Sequence, residues 1–373
     1  MKPKPWLSHL EPYPPGKTIE EIQRELGLRG PIYKLNSNEN PLGPSEKVRA
    51  GLTKALAEIH LYPEASYRTL REAIARKWGL TPENIILGNG SNEVLEFIFK
   101  AYLEKEDEVI LSEPSFLMYE KFAEIYGIKI KKIPLTPEYK HDLKRILSAL
   151  TDKTKAIFLD HPHNPTGSVL MKRDWEEFFR EIPENLLVVI DEAYGEFMDD
   201  PEIPLGVEFL KKGYPVLITR TFSKAFGLAG LRLGYGMASE TIIKTLDLVR
   251  QPFNVNALAL KAGLLVLQDE EYQKRSVSLV IEGRKYLTAE LTDLGFKVYP
   301  SQANFILVDF GKICKKLYDY LLKRGILTRP LEAYGFLNCL RITFGTEEAN
   351  RILIQEIKNF LNQSQNTSKG DLI

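Results

Sequence analysis

A chain of 373 residues, 44% hydrophobic and 27% charged, can bury a large core and has the composition of an ordinary globular protein of one or two domains. Its 50 Lys+Arg balance 50 Asp+Glu, which removes the electrostatic case for nucleic acid or an anionic membrane surface as the main partner. Cys314 and Cys339 are the only cysteines and neither sits in a CxxC pair, which argues against a disulfide framework or a cysteine zinc site and for a reducing compartment.

Residues 1–30 are rich in proline and charge around one short helical pattern, Ile19, Ile22 and Leu26, and read as an arm lying on something else. The opening MKPKPWLSHLEPYPPG lacks the apolar core of a signal peptide. The greasiest region, near Val255 to Leu267, is interrupted by Lys261 and too short to span a bilayer. The expectation is a soluble, cytoplasmic protein. Val48, Leu52, Ala55, Leu56 and Ile59 fall on one helical face. From Ile85, strands alternate with helical stretches: IILGNGS, EVILSEPS, IKIKKIPL, KAIFLDHP, LLVVIDEAY and PVLITRTFSK. Such runs predict strands buried on both faces of a mostly parallel sheet, in a doubly wound α/β domain over 31–270. Ligands of such sheets sit beyond the carboxyl ends of the strands.

Past residue 270 the rhythm changes. A long helix over Glu270 to Leu294 leads into a strand (KVYPSQANFILVDF), a helix and a short strand. LRITFGT and a last helix, with Leu353, Ile357, Phe360 and Leu361 on one side, complete a smaller α+β domain over 271–361. Residues 362–373 read as a polar tail.

Four strand ends carry chemistry. GNGSNE follows a strand and opens a helix, so Ser91 and Asn92 stand where free amides can hold a phosphate, although GNG before a helix is more often only a tight turn. FLDHPHNPTG presents Asn164 in a turn-forming context. No carboxylate or third histidine stands at ligand spacing from His161 and His163, so no metal is expected. VVIDEAYGEF ends an apolar strand on Asp191, with Tyr194 three residues on. A carboxylate there is costly unless a cation meets it, and a neighbouring arginine is the plain alternative. Asp191 and Glu192 lack the Walker A sequence that would make them a nucleotide site. TFSKAFGLAGLRLGY sets Lys224 between hydroxyls, with Arg232 eight residues on. An amine in a desolvated, cation-rich site is a nucleophile, while Thr221, Ser223 and Arg232 suit phosphate oxygens. Together the kit fits an aldehyde-bearing, phosphorylated, pyridinium-containing cofactor, pyridoxal phosphate.

The series Asn164-Pro-Thr-Gly, Asp191-Glu-Ala-Tyr194, Ser223-Lys224 and Gly230-Leu-Arg232-Leu-Gly-Tyr resembles the fold-type-I pyridoxal-phosphate aminotransferases, a mostly parallel sheet flanked by helices plus a smaller C-terminal domain. Within them it most resembles the histidinol-phosphate aminotransferases, through SNENPLGPS, LYPEAS, GNGSNE, EPSFLMYE, RQPFNVN and LRITFGT in that order. The resemblance implies that Lys224 bonds to the cofactor aldehyde and then moves the proton between substrate Cα and C4′. It implies Asp191 on the pyridinium nitrogen, Tyr194 and Asn164 on the phenolic oxygen, and Phe116 against the ring. Ser91, Asn92, Thr221, Ser223 and Arg232 would hold the cofactor phosphate, with Tyr62 reaching in from the second subunit of a homodimer. Arg341 would clamp an amino-acid carboxylate. Tyr13, Arg329 (from the partner) and Asn40 would contact substrate. The implied reaction exchanges an amino group between histidinol phosphate and 2-oxoglutarate in histidine biosynthesis. An aromatic amino donor, or a lyase resembling threonine-phosphate decarboxylase, would use the same kit. The family commonly has Asn at the positions of His161 and His163 and Tyr at that of Phe116, so selectivity is where this chain departs.

Overall fold

The computed structural model describes residues 4–12, 19–27 and 30–370. After β1 (Tyr33–Lys34) come the strands of one large sheet: β2 (Ile85–Gly88), β3 (Glu108–Glu113), β4 (Lys129–Pro134), β5 (Thr154–Asp160), β6 (Leu187–Asp191), β7 (Val216–Thr221) and β8 (Gly234–Met237). Their spatial order is β2-β8-β7-β6-β5-β3-β4. The six strands read from the sequence are all present, and β3 to β7 pair in parallel. The seventh, β8, lies antiparallel between β2 and β7. Its sequence, GYGM, is too short and too rich in glycine to read as a strand, yet the glycines suit its place. A Cβ at Gly236 would press on Val94 and Ile86, and one at Gly234 would strike the Ser91 amide. At the other edge β4 exposes Lys129 and carries Lys131 and Lys132, charges that discourage pairing with another chain.

Strand periodicity sorts the core into two layers. Ile157 and Leu159 of β5, Val188 and Ile190 of β6, and Val216 and Ile218 of β7 face a cluster that includes the helices Arg68–Trp78 and Lys172–Glu181. Their sequence neighbours Phe158, Val189 and Leu217 face the opposite layer, with Val94, Leu95 and Ile98 of the helix Ser91–Tyr102. The same alternation continues past the apolar run. Asp191 goes to the second layer and Glu192 to the first, where Arg220 receives it: Nε lies 2.9 Å and Nη2 2.5 Å from Glu192 Oε2. Arg220 also donates to Glu196 at 2.7 Å and lies over the Trp78 ring at 4.3 Å. All the charge of this pair is buried, Arg220 at 1% exposure and Glu192 at 0%.

The C-terminal body holds β9 (Lys297–Tyr299), β10 (Phe305–Asp309), β11 (Ile326–Leu327), β12 (Arg329–Leu331) and β13 (Phe336–Thr343). Four of these form an antiparallel sheet in the order β12-β13-β10-β9. The run KVYPSQANFILVDF, expected as one strand, is two. Pro300 cannot donate a ladder bond, and Ser301 turns the chain by accepting from the Ala303 amide at 3.1 Å. The helices Glu270–Asp293, Cys314–Lys323 and Glu347–Gly370 cover this sheet around Leu287, Ile306, Leu317, Ile342 and Ile357. No proline or glycine interrupts the last of these before Gly370, so it carries on through the stretch read as a tail.

One segment ties the two bodies together. β1 pairs in parallel with β11, Leu35 is buried among the C-terminal residues, and Thr343 Oγ1 donates to Asn38 at 3.0 Å. The expected apolar face over Val48 to Ile59 is only half used. Val48 is buried, whereas Leu56 and Ile59 are 53% and 60% exposed beyond the helix Glu46–Ala55. No helix of the described residues is long and apolar enough to cross a membrane.

Arg220→Ala leaves Glu192 buried without its cation. The expected loss is about 3–5 kcal/mol of unfolding free energy, read from urea denaturation. A loss below about 1 kcal/mol would mean that the pair contributes no more than an exposed one.

Candidate active site

Beyond the carboxyl ends of β5, β6 and β7 lies a cavity of about 570 Å³. Its first end is built for an anion. The helix Ser91–Tyr102 starts at the cavity with Ser91 and Asn92 on the wall, after Gly90 at φ 81°. Arg232, Thr221 and Ser223 complete this end. The Arg232 guanidinium donates to Ser223 Oγ at 3.4 Å and Ala229 O at 2.9 Å. Any side chain at Gly90 would collide with that guanidinium. Helix amides, hydroxyls and a forked cation at one spot are a receptor for a phosphate group.

Asp191 stands on the β6 strand end. Tyr119 donates to its Oδ2 at 2.8 Å and Thr219 to its Oδ1 at 2.9 Å. Burial pushes its carboxyl up to about 6, against those donors, because no cation meets it. Lys224 lines the same cavity, with Nζ 3.4 Å from Ser37 O and 5.7 Å from the Tyr194 ring centre. Burial, then the Arg341 guanidinium, pull its amine down to about 8, with Arg232 adding to the effect and Glu39 and Asp191 opposing it. Tyr194 accepts from Asn38 Nδ2 at 2.9 Å, and burial pushes its phenol up to about 12. Asn164 is fixed by its own amide, which donates to Asp160 Oδ2 at 2.6 Å, and its Oδ1 accepts from Arg341 Nη1 at 2.6 Å. Phe116 is on the wall, edge-on to Tyr119 with centres 5.5 Å apart.

The family model for aminotransferase class I and II matches residues 31–357. The chain belongs to this family. It is 42% identical to a histidinol-phosphate aminotransferase of Symbiobacterium thermophilum over 96% of this chain and 98% of that one. With the enzyme of the same name from Moorella thermoacetica it shares 40% identity over 94% of this chain and 91% of the other. A crystal structure of histidinol-phosphate aminotransferase from Sinorhizobium meliloti, in complex with pyridoxal-5′-phosphate, superposes with a TM-score of 0.85 at 26% identity, covering 95% of this chain and 97% of that one.

In this aminotransferase the residues singled out from sequence fall into three groups. Lys224, Asp191, Tyr194, Asn164, Phe116, Ser91, Asn92, Thr221, Ser223 and Arg232 all line the one cavity. Arg341 is buried on β13, reaching Asn164 and donating to Asn36 O at 3.0 Å. Arg329 is its register partner on β12. Asn40 and Tyr62 are off the cavity wall. The Asn40 amide donates to Ala225 O at 3.0 Å, Tyr272 at 3.2 Å and Ser276 at 2.8 Å, which fastens the peptide next to Lys224. Tyr62 is 82% exposed and stacks on Phe253 at 4.7 Å. Tyr13 lies outside the described residues.

The histidine spacing argument needs correction. His141 comes from another segment to meet Asp160 and His163 of FLDHPHNPTG, and the ligand atoms of the three lie within 4.8 Å of one another. Both imidazoles are nonetheless engaged. Nδ1 of His141 faces Ser112 at 2.6 Å and its Nε2 the Asp160 carbonyl at 2.9 Å. His163 meets Thr166 at 2.7 Å and the Pro114 carbonyl at 2.9 Å. A carbonyl only accepts, so each Nε2 carries the proton and each Nδ1 lone pair is taken by a hydroxyl. Burial holds both rings neutral, each pushed down to about 4. His161 packs edge-on against Trp175 in the other layer.

Sequence reading missed Tyr119, Thr219, Asn38 and Asp160. Tyr119 and Thr219 follow from the register: one lies three residues past Phe116, the other beside Asp191 on β7. In acylation with acetic anhydride followed by peptide mapping, Lys224 is expected to half-titrate near pH 8, while surface lysines follow an ordinary value of ~10.4. A Lys224 profile that coincides with theirs would remove the electrostatic account of its reactivity.

Proposed function

We propose that this aminotransferase moves the amino group of histidinol phosphate to 2-oxoglutarate, with pyridoxal phosphate held in the cavity and Lys224 as the covalent anchor. The observation that carries the reading is a single 570 Å³ cavity lined by an anion receptor, a carboxylate that meets no cation and a lysine whose amine is pulled down toward neutrality. Names of relatives at 40% to 42% identity support the substrate.

The residues present fit the cofactor. Ser91, Asn92, Thr221, Ser223 and Arg232 match a phosphate, and the Asp191 carboxylate supplies the counter-charge that a protonated ring nitrogen requires. The cofactor supplies an electron sink for the bond broken at the substrate Cα. The protein does the rest. Asp191 keeps the ring nitrogen protonated, since Tyr119 and Thr219 leave its charge pointing at the cavity. Tyr194 and Asn164 would hold the phenolic oxygen, Tyr194 oriented by Asn38 and the Asn164 backbone by Asp160. Lys224, neutral in a good fraction of molecules near pH 8, can take a proton at one carbon and return it at the next. Arg341 offers a fork for a substrate carboxylate, while Arg329 and Tyr13 are assigned to the substrate phosphate.

A homodimer completes this reading. Leu56, Ile59, Leu61 and Tyr62 are each more than half exposed, beside Phe253 at 37%. An apolar patch of that kind favours a protein partner, and a second copy would bring Tyr62 toward the neighbouring cavity.

The test is a half-reaction. Histidinol phosphate alone should convert the visible band of the bound cofactor stoichiometrically to that of the amine form, and 2-oxoglutarate should restore it. Carbon dioxide release from threonine phosphate without that conversion would move the protein to the lyases. Lys224→Ala should lose the visible band and at least ~10²-fold of the turnover. Tyr62→Asp should shift sedimentation from dimer to monomer, and an unchanged dimer would remove this patch from the interface.

A further inference from the structure

Asp160 and Asp191 end β5 and β6, and Thr219 lies within β7 at the same level, each the register partner of the next. Phe158, Val189 and Leu217, two residues earlier, share one layer, so the alternation turns all three side chains to the same side. Tyr119 and Thr219 serve Asp191. Nothing serves Asp160 in the same way. It is 3% exposed and on the cavity wall, and its Oδ2 accepts the Asn164 amide while its Oδ1 has no hydrogen-bond partner. Nε2 of His141 lies 3.6 Å from that oxygen but gives its proton to the Asp160 carbonyl.

A buried carboxylate oxygen without a donor is costly, unless the group is protonated or a cation arrives. The groups around Asp160 are Asp191, the phenols Tyr119 and Tyr194, and neutral His141, which touches neutral His163 edge-on at 4.9 Å. Lys224 lines the same cavity, and Arg341 donates to Asn164 Oδ1 at 2.6 Å. We propose that Asp160 is a second carboxylate for the cationic ring of the cofactor: it shares a proton with Asp191 in the apoprotein, and the ring's arrival drives that proton off so that both face it ionised. The inference rests on the cofactor reading above. Two carboxylates on adjacent strands resist simultaneous ionisation, and burial pushes both carboxyls up from their ordinary values. The arriving N–H⁺ reverses that balance for the pair, and the released proton goes to solvent.

The test measures binding of pyridoxamine 5′-phosphate, which has no aldehyde and so leaves Lys224 out of any covalent link. Affinity is followed by protein fluorescence from pH 8 to pH 5 for the wild type and for Asp160→Asn. Titration of the ligand is common to both proteins, and Asp160→Asn removes the carboxyl together with its coupling to Asp191, so the ratio of affinities reads the proton the pair shares. The wild type should bind more tightly at pH 8, and its advantage should shrink on acidification, approaching tenfold per pH unit. A ratio that stays constant with pH, as a purely structural role would give, overturns the inference and leaves the cofactor reading standing. Failure of the wild type to bind either cofactor form overturns both. Asp160→Ser removes the same charge with a smaller side chain and repeats the test should the amide variant not fold.

Discussion

Two acids stand side by side at the end of β6, and the pleat of the strand sends them to opposite layers. Glu192 meets Arg220 in a closed ion pair inside the hydrophobic layer. Asp191 meets only neutral donors, so its charge is left for whatever enters the cavity. The site depends on this sorting. Had the register of β6 slipped by one residue, the two acids would have exchanged layers, setting Asp191 toward Arg220 and leaving Glu192 without its cation.

The anion receptor at the far end depends on a second constraint, close backbone approach. β8 runs against its neighbours and brings Gly234 to the first turn of the helix Ser91–Tyr102, where no Cβ fits. That contact sets the helix amides beside Arg232, whose guanidinium occupies the space a side chain at Gly90 would need. Glycine here makes room for charge to gather without intervening atoms.

Much of this could be read from the chain. The parallel strands announce themselves as continuous apolar runs, and polar residues at their ends point to the cavity before any geometry is known. The residues that escaped notice are those whose role depends on pairing. Tyr119 looks like one more aromatic on a helix, and Thr219 like an ordinary β-branched strand residue. The register sets Thr219 beside Asp191, and the packing of the helix Leu117–Tyr126 brings Tyr119 to the same carboxylate. Asp160 was hidden by its surroundings: in FLDHPHNPTG the histidines draw attention, yet they are neutral packing groups and the acid before them faces the cavity. Asn40, an asparagine in a conspicuous loop motif, holds the peptide beside Lys224, a contact that spacing along the chain does not announce. Tyr62 and Arg329 gain meaning only from a second copy of the chain, which spacing within one chain does not encode.

The charges of the cavity form one balanced set. Burial, then Arg341 and Arg232, drive the Lys224 amine down toward neutrality, while Glu39 and Asp191 hold it up. An arriving phosphate dianion would neutralise Arg232 and relax its push on Lys224, whereas an arriving ring cation would compensate Asp191 and weaken the opposing pull. A ligand carrying both charges at its two ends therefore perturbs the lysine least. The cavity's charges favour a zwitterionic ligand, and such a ligand meets the amine without first fixing it in either protonation state.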